Sequence, residues 1–340
     1  MKKDTITIQN VAKLAGVSIM TVSRVISKKS NVKDATRRSV LEAIENLQYQ
    51  PNMSARSLAG DKSYFLGLIY DNPNAAYLNQ CLMGALHNCN KNGYNLIISS
   101  FERGGDGDYK IDQALINHAK VDGMIIPPPL CDSAEILTAL KNAEIPMVRI
   151  APQTMLDYSP YVCMDDQRAA YDMTEYLISQ GHKKIGFIMG HPEHGASKLR
   201  YAGMKKALVD NNIPLPNDYI QQGYFTYKSG FNCAEALLAL KDRPTAIFAS
   251  NDDMAAATIS AAHKAGLSVP EGISVVGFDD LPIASTIWPQ LTTIRQPIMA
   301  MGEKAAELLM GAENQDTNDS RVKNTILDYK LIIRGSVAAP

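Results

Sequence analysis

Apolar residues recur at helical spacing over the first fifty positions and then give way to short unbroken apolar runs, and that change of period divides the chain. Between positions 8 and 15 the apolar residues are Ile8, Val11, Ala12, Leu14 and Ala15, which predicts an amphipathic helix of about two turns. Gly16 stops it, Val17 buries the turn, and Ser18 is a good N-cap for a second helix, Ile19 to Ile26, whose apolar face carries Val22, Val25 and Ile26. Two short helices across a tight glycine turn make a helix-turn-helix, with small Ala12 letting them approach. Ala35 to Leu47 predicts a third helix that covers the pair with Val40, Leu41, Ile44 and Leu47. Met53 to Gly60 can form a further short helix with little to bury, expected to order only when docked.

From Tyr64 onward strands and helices alternate. The runs at 65–70, 94–99, 122–127, 145–150, 184–189, 245–250 and 273–278 are continuous and apolar, as in parallel sheets covered by helices on both faces. The pattern repeats once, which predicts two Rossmann-like lobes with a ligand cleft between them, outside the carboxyl ends of the strands. Polar residues gather at those ends: Asp71-Asn72-Pro73, His191 to Arg200, Asn251-Asp252 and Asp279-Asp280. Carboxylates and amides that take paired hydroxyls, with an aromatic ring for an apolar face, suit a polyhydroxylated ligand.

Charge sharpens the division. The formal net charge is only −1, yet residues 1–62 hold 11 Lys and Arg against 5 Asp and Glu, leaving 23 against 30 in the rest. A basic arm on an acidic body fits a phosphate-binding module attached to a sensor. The bulk composition, 46% hydrophobic and 20% charged, is that of an ordinary globular protein. No signal-like or membrane-spanning apolar run is present, so the cytoplasm is the expected location, with no membrane partner. The five cysteines form no C-x-x-C pair and sit in apolar stretches, which predicts reduced, buried thiols.

The strings V-A-x-x-A-G-V-S-x-x-T-V-S-R-V and Y-x-P-N-x-x-A-x-x-L-A, together with P-T-A-I-F-A-S-N-D, V-V-G-F-D-D and P-Q-L-T-T-I-R-Q in the body, resemble the LacI/GalR family of bacterial transcription regulators over nearly the whole chain. The resemblance implies an all-α helix-turn-helix domain at 1–51 and a hinge helix and linker at 52–62. An α/β, two-lobed, periplasmic-binding-protein-like body follows at 63–340. One lobe is expected at about 63–161 plus 292–322, and the other at 162–291 plus 323–340. It implies base contacts by Ile19, Met20 and Arg24, with Leu58 as the wedge between central base steps. Backbone contacts are implied for Thr7, Ser18, Thr21, Ser23, Thr36, Tyr49, Asn52 and Ala55. Effector contacts are implied for Asp71, Arg200, Phe225, Asn251 and Asp279. The implied partners are a near-palindromic operator, a small-molecule effector expected to be a sugar, and a second copy of the chain in a homodimer. The implied function is a repressor of carbohydrate-utilisation genes, with no cofactor and no enzymatic step.

Two rival classes fare worse. An enzyme of carbohydrate metabolism could use Asp165-Asp166 or Asp279-Asp280, but adjacent carboxylates point apart, and neither a phosphate loop nor a G-x-S-x-G elbow is present. A sugar-binding receptor shares the body but has no use for the first sixty residues. His191-Pro192-Glu193-His194 lacks a third metal ligand and is expected to be a solvated loop.

Overall fold

The computed structural model describes residues 6–26, 32–49, 62–72, 74–100, 121–311 and 324–340. The hinge segment, with Leu58, Asn52 and Ala55, lies outside the described residues. The chain forms two compact units, Met1–Tyr64 and Phe65–Pro340.

In the first unit, helices α1 (Ile8–Ala15), α2 (Ile19–Ile26) and α3 (Asp34–Leu47) lie where periodicity predicts them. At the head of α1 the Thr7 N–H donates to Asn10 Oδ1 at 2.9 Å. Gly16 adopts the left-handed conformation, φ 66°, which a side chain would resist, and so turns the chain toward α2. Ser18 caps α2 by accepting the Thr21 N–H at 3.2 Å. The core is Val11, Ala12, Val22, Val25, Val40, Ala43 and Tyr49. Leu14 and Leu41, expected in it, are 54% and 52% exposed. The faces that pack inward carry Val11 and Ala12 on α1 and Val40 and Ala43 on α3, with Ile8, Ala15, Ile44 and Leu47 partly buried against them.

The second unit is doubly wound. Strands β1 (Phe65–Tyr70), β2 (Asn95–Ser100), β3 (Gly123–Ile126), β4 (Met147–Ile150), β5 (Tyr161–Cys163) and a late strand, Asn324–Ile326, form a parallel sheet. Its order places the late strand first, then β5, β4, β3, β1 and β2. Helices α4 (Ala75–Asn92) and α5 (Ala134–Asn142) belong to this lobe. The other lobe holds α6 (Asp166–Ser179), β6 (Ile185–Met189), α7 (Gly195–Asp210), β7 (Ile220–Gln222), α8 (Tyr227–Leu238), β8 (Ala246–Ala249), α9 (Asp252–Lys264), β9 (Ser274–Val276) and the short α10 (Pro282–Thr286). Its parallel sheet runs β7-β6-β8-β9. The strands β3, β4, β8 and β9 are buried along their whole length, which explains their unbroken apolar sequences.

The chain then continues through β10 (Thr293–Arg295), α11 (Ile298–Gly311), β11 (Asn324–Ile326, the late strand) and β12 (Lys330–Ile332). Helix α11 packs on α4 and returns the chain to the first lobe. β10 pairs antiparallel with β12, so two of the three lobe crossings are hydrogen-bonded to each other. β5 and β11 pair in the first lobe's sheet, and β10 bridges to residues of the second lobe at Asp279–Arg295. Near the expected lobe boundaries at about 161, 291 and 322 lie β5, β10 and β11, each paired with a strand or residue of the lobe it borders.

No helix among the described residues is long and apolar enough to cross a membrane. Cys81, Cys89, Cys131 and Cys233 are buried free thiols and Cys163 is half-buried; burial pushes the Cys81 thiol up to about 12.

Candidate functional site

The polar strand ends converge on a cavity between the two lobes of the second unit. Asn72, Asn74, Tyr77, Pro128 and Ala151 line it from the first lobe. His194, Arg200, Phe225, Asn251 and Asp279 face them from the second, with Asp166 and Gln296 at the crossings.

Its charged centre is Arg200, on the first turns of α7 and 4% exposed. Nε donates to Asp166 Oδ1 at 2.8 Å, Nη1 donates to the Ser250 carbonyl at 2.5 Å, and the guanidinium lies 3.7 Å above the Phe278 ring. Asp279 Oδ1 sits 3.6 Å from Nη1 and accepts from Gln296 Nε2 at 2.5 Å. Burial pushes the Asp279 carboxyl up to about 7, against the pull of Arg200 and Gln296, and raises Asp166 as well. Behind it Asp252 is fully buried, accepting from Thr293 Oγ1 at 2.6 Å and the Leu281 N–H at 2.7 Å, and burial raises it well above the usual carboxylate range.

Phe225 supplies an apolar wall. Its backbone is left-handed, φ 59°, and Asn251 Nδ2 holds its carbonyl at 3.1 Å. The ring rests over Gly190, where a Cβ would stand 2.0 Å from Cζ, so a larger residue there would displace it. Asn251 also caps α9, Oδ1 accepting the Met254 N–H at 3.0 Å. These two bonds use one amide hydrogen and one lone pair of Asn251, which also lines the cavity beside Phe225. Asp279 and Asp280 are left-handed too, φ 116° and 58°, which concentrates backbone strain at this wall. Asp280 turns away to Arg295 and Arg334, so the adjacent carboxylates do point apart.

The first lobe's wall is fastened by Arg149, fully buried on β4. It donates to Ser159 Oγ and to the carbonyls of Cys131, Thr154 and Met155, tying residues 151–160 to the segment after β3.

Four of the five expected effector residues line the cavity; Asp71 does not. Asn72 Oδ1 accepts the Asn74 N–H at 2.9 Å, and this turn gives Asn72 and Asn74 to the cavity instead. His194, expected in a solvated loop, is 5% exposed and packs edge-on against Phe225, centroids 5.2 Å apart. The N-cap position of α7 tucks it under the cleft wall. Tyr77 lies on an apolar helix face that hides it in the sequence and Pro128 carries no local signal, whereas Gln296 closes the P-Q-L-T-T-I-R-Q string, which marks the family but not a role for that side chain.

Some polar groups around the cavity have no bond of their own. Among the described residues, no hydrogen bond reaches Asp279 Oδ2, Gln296 Oε1, Arg200 Nη2 or the Tyr77 hydroxyl. Ser197 Oγ is the single fully buried side-chain polar atom without a partner among those residues, so these four atoms reach open space. Burial and the nearby carboxylates keep Tyr77 protonated. The cavity thus offers two acceptors, one cationic donor and one hydroxyl that does either, beside an aromatic wall.

In the first unit, α2 presents Ile19, 46% exposed, Met20, 64% exposed, and exposed Ser23 and Arg24. Arg24 Nη2 lies 3.6 Å from Met20 Sδ. Thr7 and Ser18 are exposed, and Thr21 and Thr36 are half-buried. Tyr49 differs, with its ring in the small core at 9% exposure.

Comparisons with known proteins agree with this division. The family model described as bacterial regulatory proteins, lacI family, matches residues 7–52, and a periplasmic binding protein-like domain matches residues 174–337. The chain is 35% identical over 320 residues to catabolite control protein A of Priestia megaterium, covering 93% of this chain and 95% of the relative. It is 34% identical to the HTH-type transcriptional repressor PurR of Photobacterium profundum, covering 97% and 98%. Among solved structures, the lac repressor dimer bound to operator and the anti-inducer ONPF aligns with a TM-score of 0.76 at 29% identity, over 99% of this chain and all of that one. The transcriptional regulator CelR in complex with cellobiose aligns with a TM-score of 0.73 at 27% identity, covering 97% and 99%.

Proposed function

Because the chain belongs to the LacI family of bacterial regulatory proteins, a DNA-binding transcription regulator answering to a small molecule, we propose that it is a homodimeric repressor of carbohydrate-utilisation genes whose effector is a sugar. The observation that carries the sugar is the set of four unbonded polar groups beside the Phe225 ring. Asp279 Oδ2 and Gln296 Oε1 accept from ligand hydroxyls, Arg200 Nη2 donates to a ring or hydroxyl oxygen, and Phe225 covers an apolar sugar face. Asn251 lines the cavity beside Phe225 and holds its carbonyl. A relative solved with cellobiose lends support to the same ligand class.

On the DNA side, Arg24 reads a guanine bidentately while Ile19 and Met20 take apolar contacts such as thymine methyls. Thr7, Ser18, Thr21, Ser23, Thr36, Asn52 and Ala55 hold the backbone, and Leu58 wedges the central step of a near-palindromic operator. Tyr49 has its ring in the core, so its hydroxyl is the part left for a phosphate. The dimer is supported by the lac repressor dimer, which aligns over 99% of this chain. The effector shifts operator affinity by preferring one arrangement of the two lobes over another.

A thermal-shift screen of the full-length protein against mono- and disaccharides, phosphosugars and purines tests the effector class. A sugar at 100 times its dissociation constant should add about 2.7 kcal/mol of stability. Silence from every sugar alongside a shift from a purine would overturn the carbohydrate reading.

A further inference from the structure

The aromatic wall of the cavity does not stop at Phe225. His194 lies against Phe225 with centroids 5.2 Å apart, His191 against His194 at 5.3 Å, and Tyr224 against His191 at 5.6 Å. The inner two rings, Phe225 and His194, are 7% and 5% exposed, His191 is half-buried, and the outermost, Tyr224, is 46% exposed. The row therefore runs from the enclosed cavity to solvent.

Topology fixes which surface it follows. His191 and His194 stand in the segment after β6, and Tyr224 and Phe225 in the segment after β7. β6 and β7 are parallel neighbours, so both segments leave carboxyl ends and lie on the face that carries the cleft. β7 is the edge strand of its sheet, which puts the outer end of the row toward one side of the cleft. Across from it the side chain of Gln153 in the first lobe stands against Gly195, one residue from His194, so both lobes meet along this side.

We propose that His191 and Tyr224 form an outer subsite for a second sugar ring, so that the effector is a disaccharide or longer, with one ring in the cavity and the next stacked at its edge. This rests on the carbohydrate reading and narrows it. A pyranose presents an apolar C–H face, and an exposed phenol backed by an imidazole is a rigid, low-entropy surface for it. The polar groups that select hydroxyls all lie inside the cavity, so the outer ring is held by shape and apolar contact and tolerates different second sugars.

Titration calorimetry on the full-length protein, with glucose against cellobiose and maltose and with galactose against lactose, tests this. At least one disaccharide should bind about ten-fold more tightly than its monosaccharide. Tyr224→Ala should remove that increment and leave the monosaccharide affinity unchanged, while Tyr224→Phe retains it. Equal affinity for both members of every pair, or an increment that survives Tyr224→Ala, overturns the outer subsite and leaves the carbohydrate reading intact. Absence of binding by all five saccharides overturns both.

Discussion

Asn74 and Asp253 meet across the cleft: the Asn74 side-chain amide, at the head of α4 in the first lobe, donates to Asp253 Oδ2 in the second at 3.0 Å. Asn74 simultaneously caps α4, with Oδ1 accepting the Tyr77 N–H at 3.0 Å. One side chain thus ties the closeness of the lobes to the helix that carries the cavity's hydroxyl, Tyr77.

Replacing Asp253 with Ala should loosen that closeness without touching the ligand groups. A hydrogen bond to a charged group is worth about 1.5–3 kcal/mol at most, and Asp253 is partly exposed, so a two- to ten-fold loss of sugar affinity is expected by calorimetry. Operator affinity without the sugar should then also shift, because the lobes sample a different spacing. An unchanged affinity would mean the contact only accompanies closure.

The pH behaviour follows from Asp279. An aspartate in an unfolded chain titrates near 3.9, whereas here burial holds the carboxyl at about 7. Between about pH 4 and 7 the folded chain therefore binds a proton that the unfolded chain has lost, and stability falls as pH rises through that window, levelling above it. Melting temperatures from pH 5 to 8 should show this decline, shallower in Asp279→Asn, with the remainder supplied by Asp166 and Asp252, which burial also raises. A sugar hydroxyl donating to Oδ2 favours the ionised form, so wild-type affinity should rise between pH 6 and 8.

Arg200→Met should cost far more than a surface charge. It strands Asp166, 1% exposed, without its partner, and breaking a buried pair from one side costs roughly 3–5 kcal/mol. Urea unfolding of the second unit's transition reads that loss. Arg200→Lys should recover little, because an ammonium cannot serve Asp166, the Ser250 carbonyl and the Phe278 face together.

In the helix-turn-helix, Arg24→Ala should weaken binding to the cognate operator by about 1–3 kcal/mol and relax discrimination at one base pair in each half-site. Its exposed position leaves the melting temperature unchanged. A loss equal on cognate and random DNA would make Arg24 a phosphate contact instead.

The parts of the molecule legible in the sequence are those whose local chemistry repeats. The first three helices, and the strands buried on both faces, stand out because burial on a fixed period leaves a visible apolar pattern. Strands β5, β7, β10, β11 and β12 span three residues each, too few for a pattern, and they pair only because distant segments present an edge. The same contrast runs through the cavity. Arg200, Asn251 and Asp279 are polar residues at the ends of apolar strands and so announce themselves. Tyr77 and His194 reach the cavity through the tertiary path of a helix and a cap, and Asp71 is displaced by the turn at Asn72, which only coordinates reveal.

The hydrogen-bonded crossing of β10 with β12, and the pairing of β11 with β5, have a consequence for synthesis. On the ribosome the DNA-binding unit emerges first and needs nothing downstream for its core, while the first lobe's sheet waits for residues 324–326 to supply its outermost strand. A nascent or prematurely ended chain can thus hold a finished reading head on an unfinished sensor.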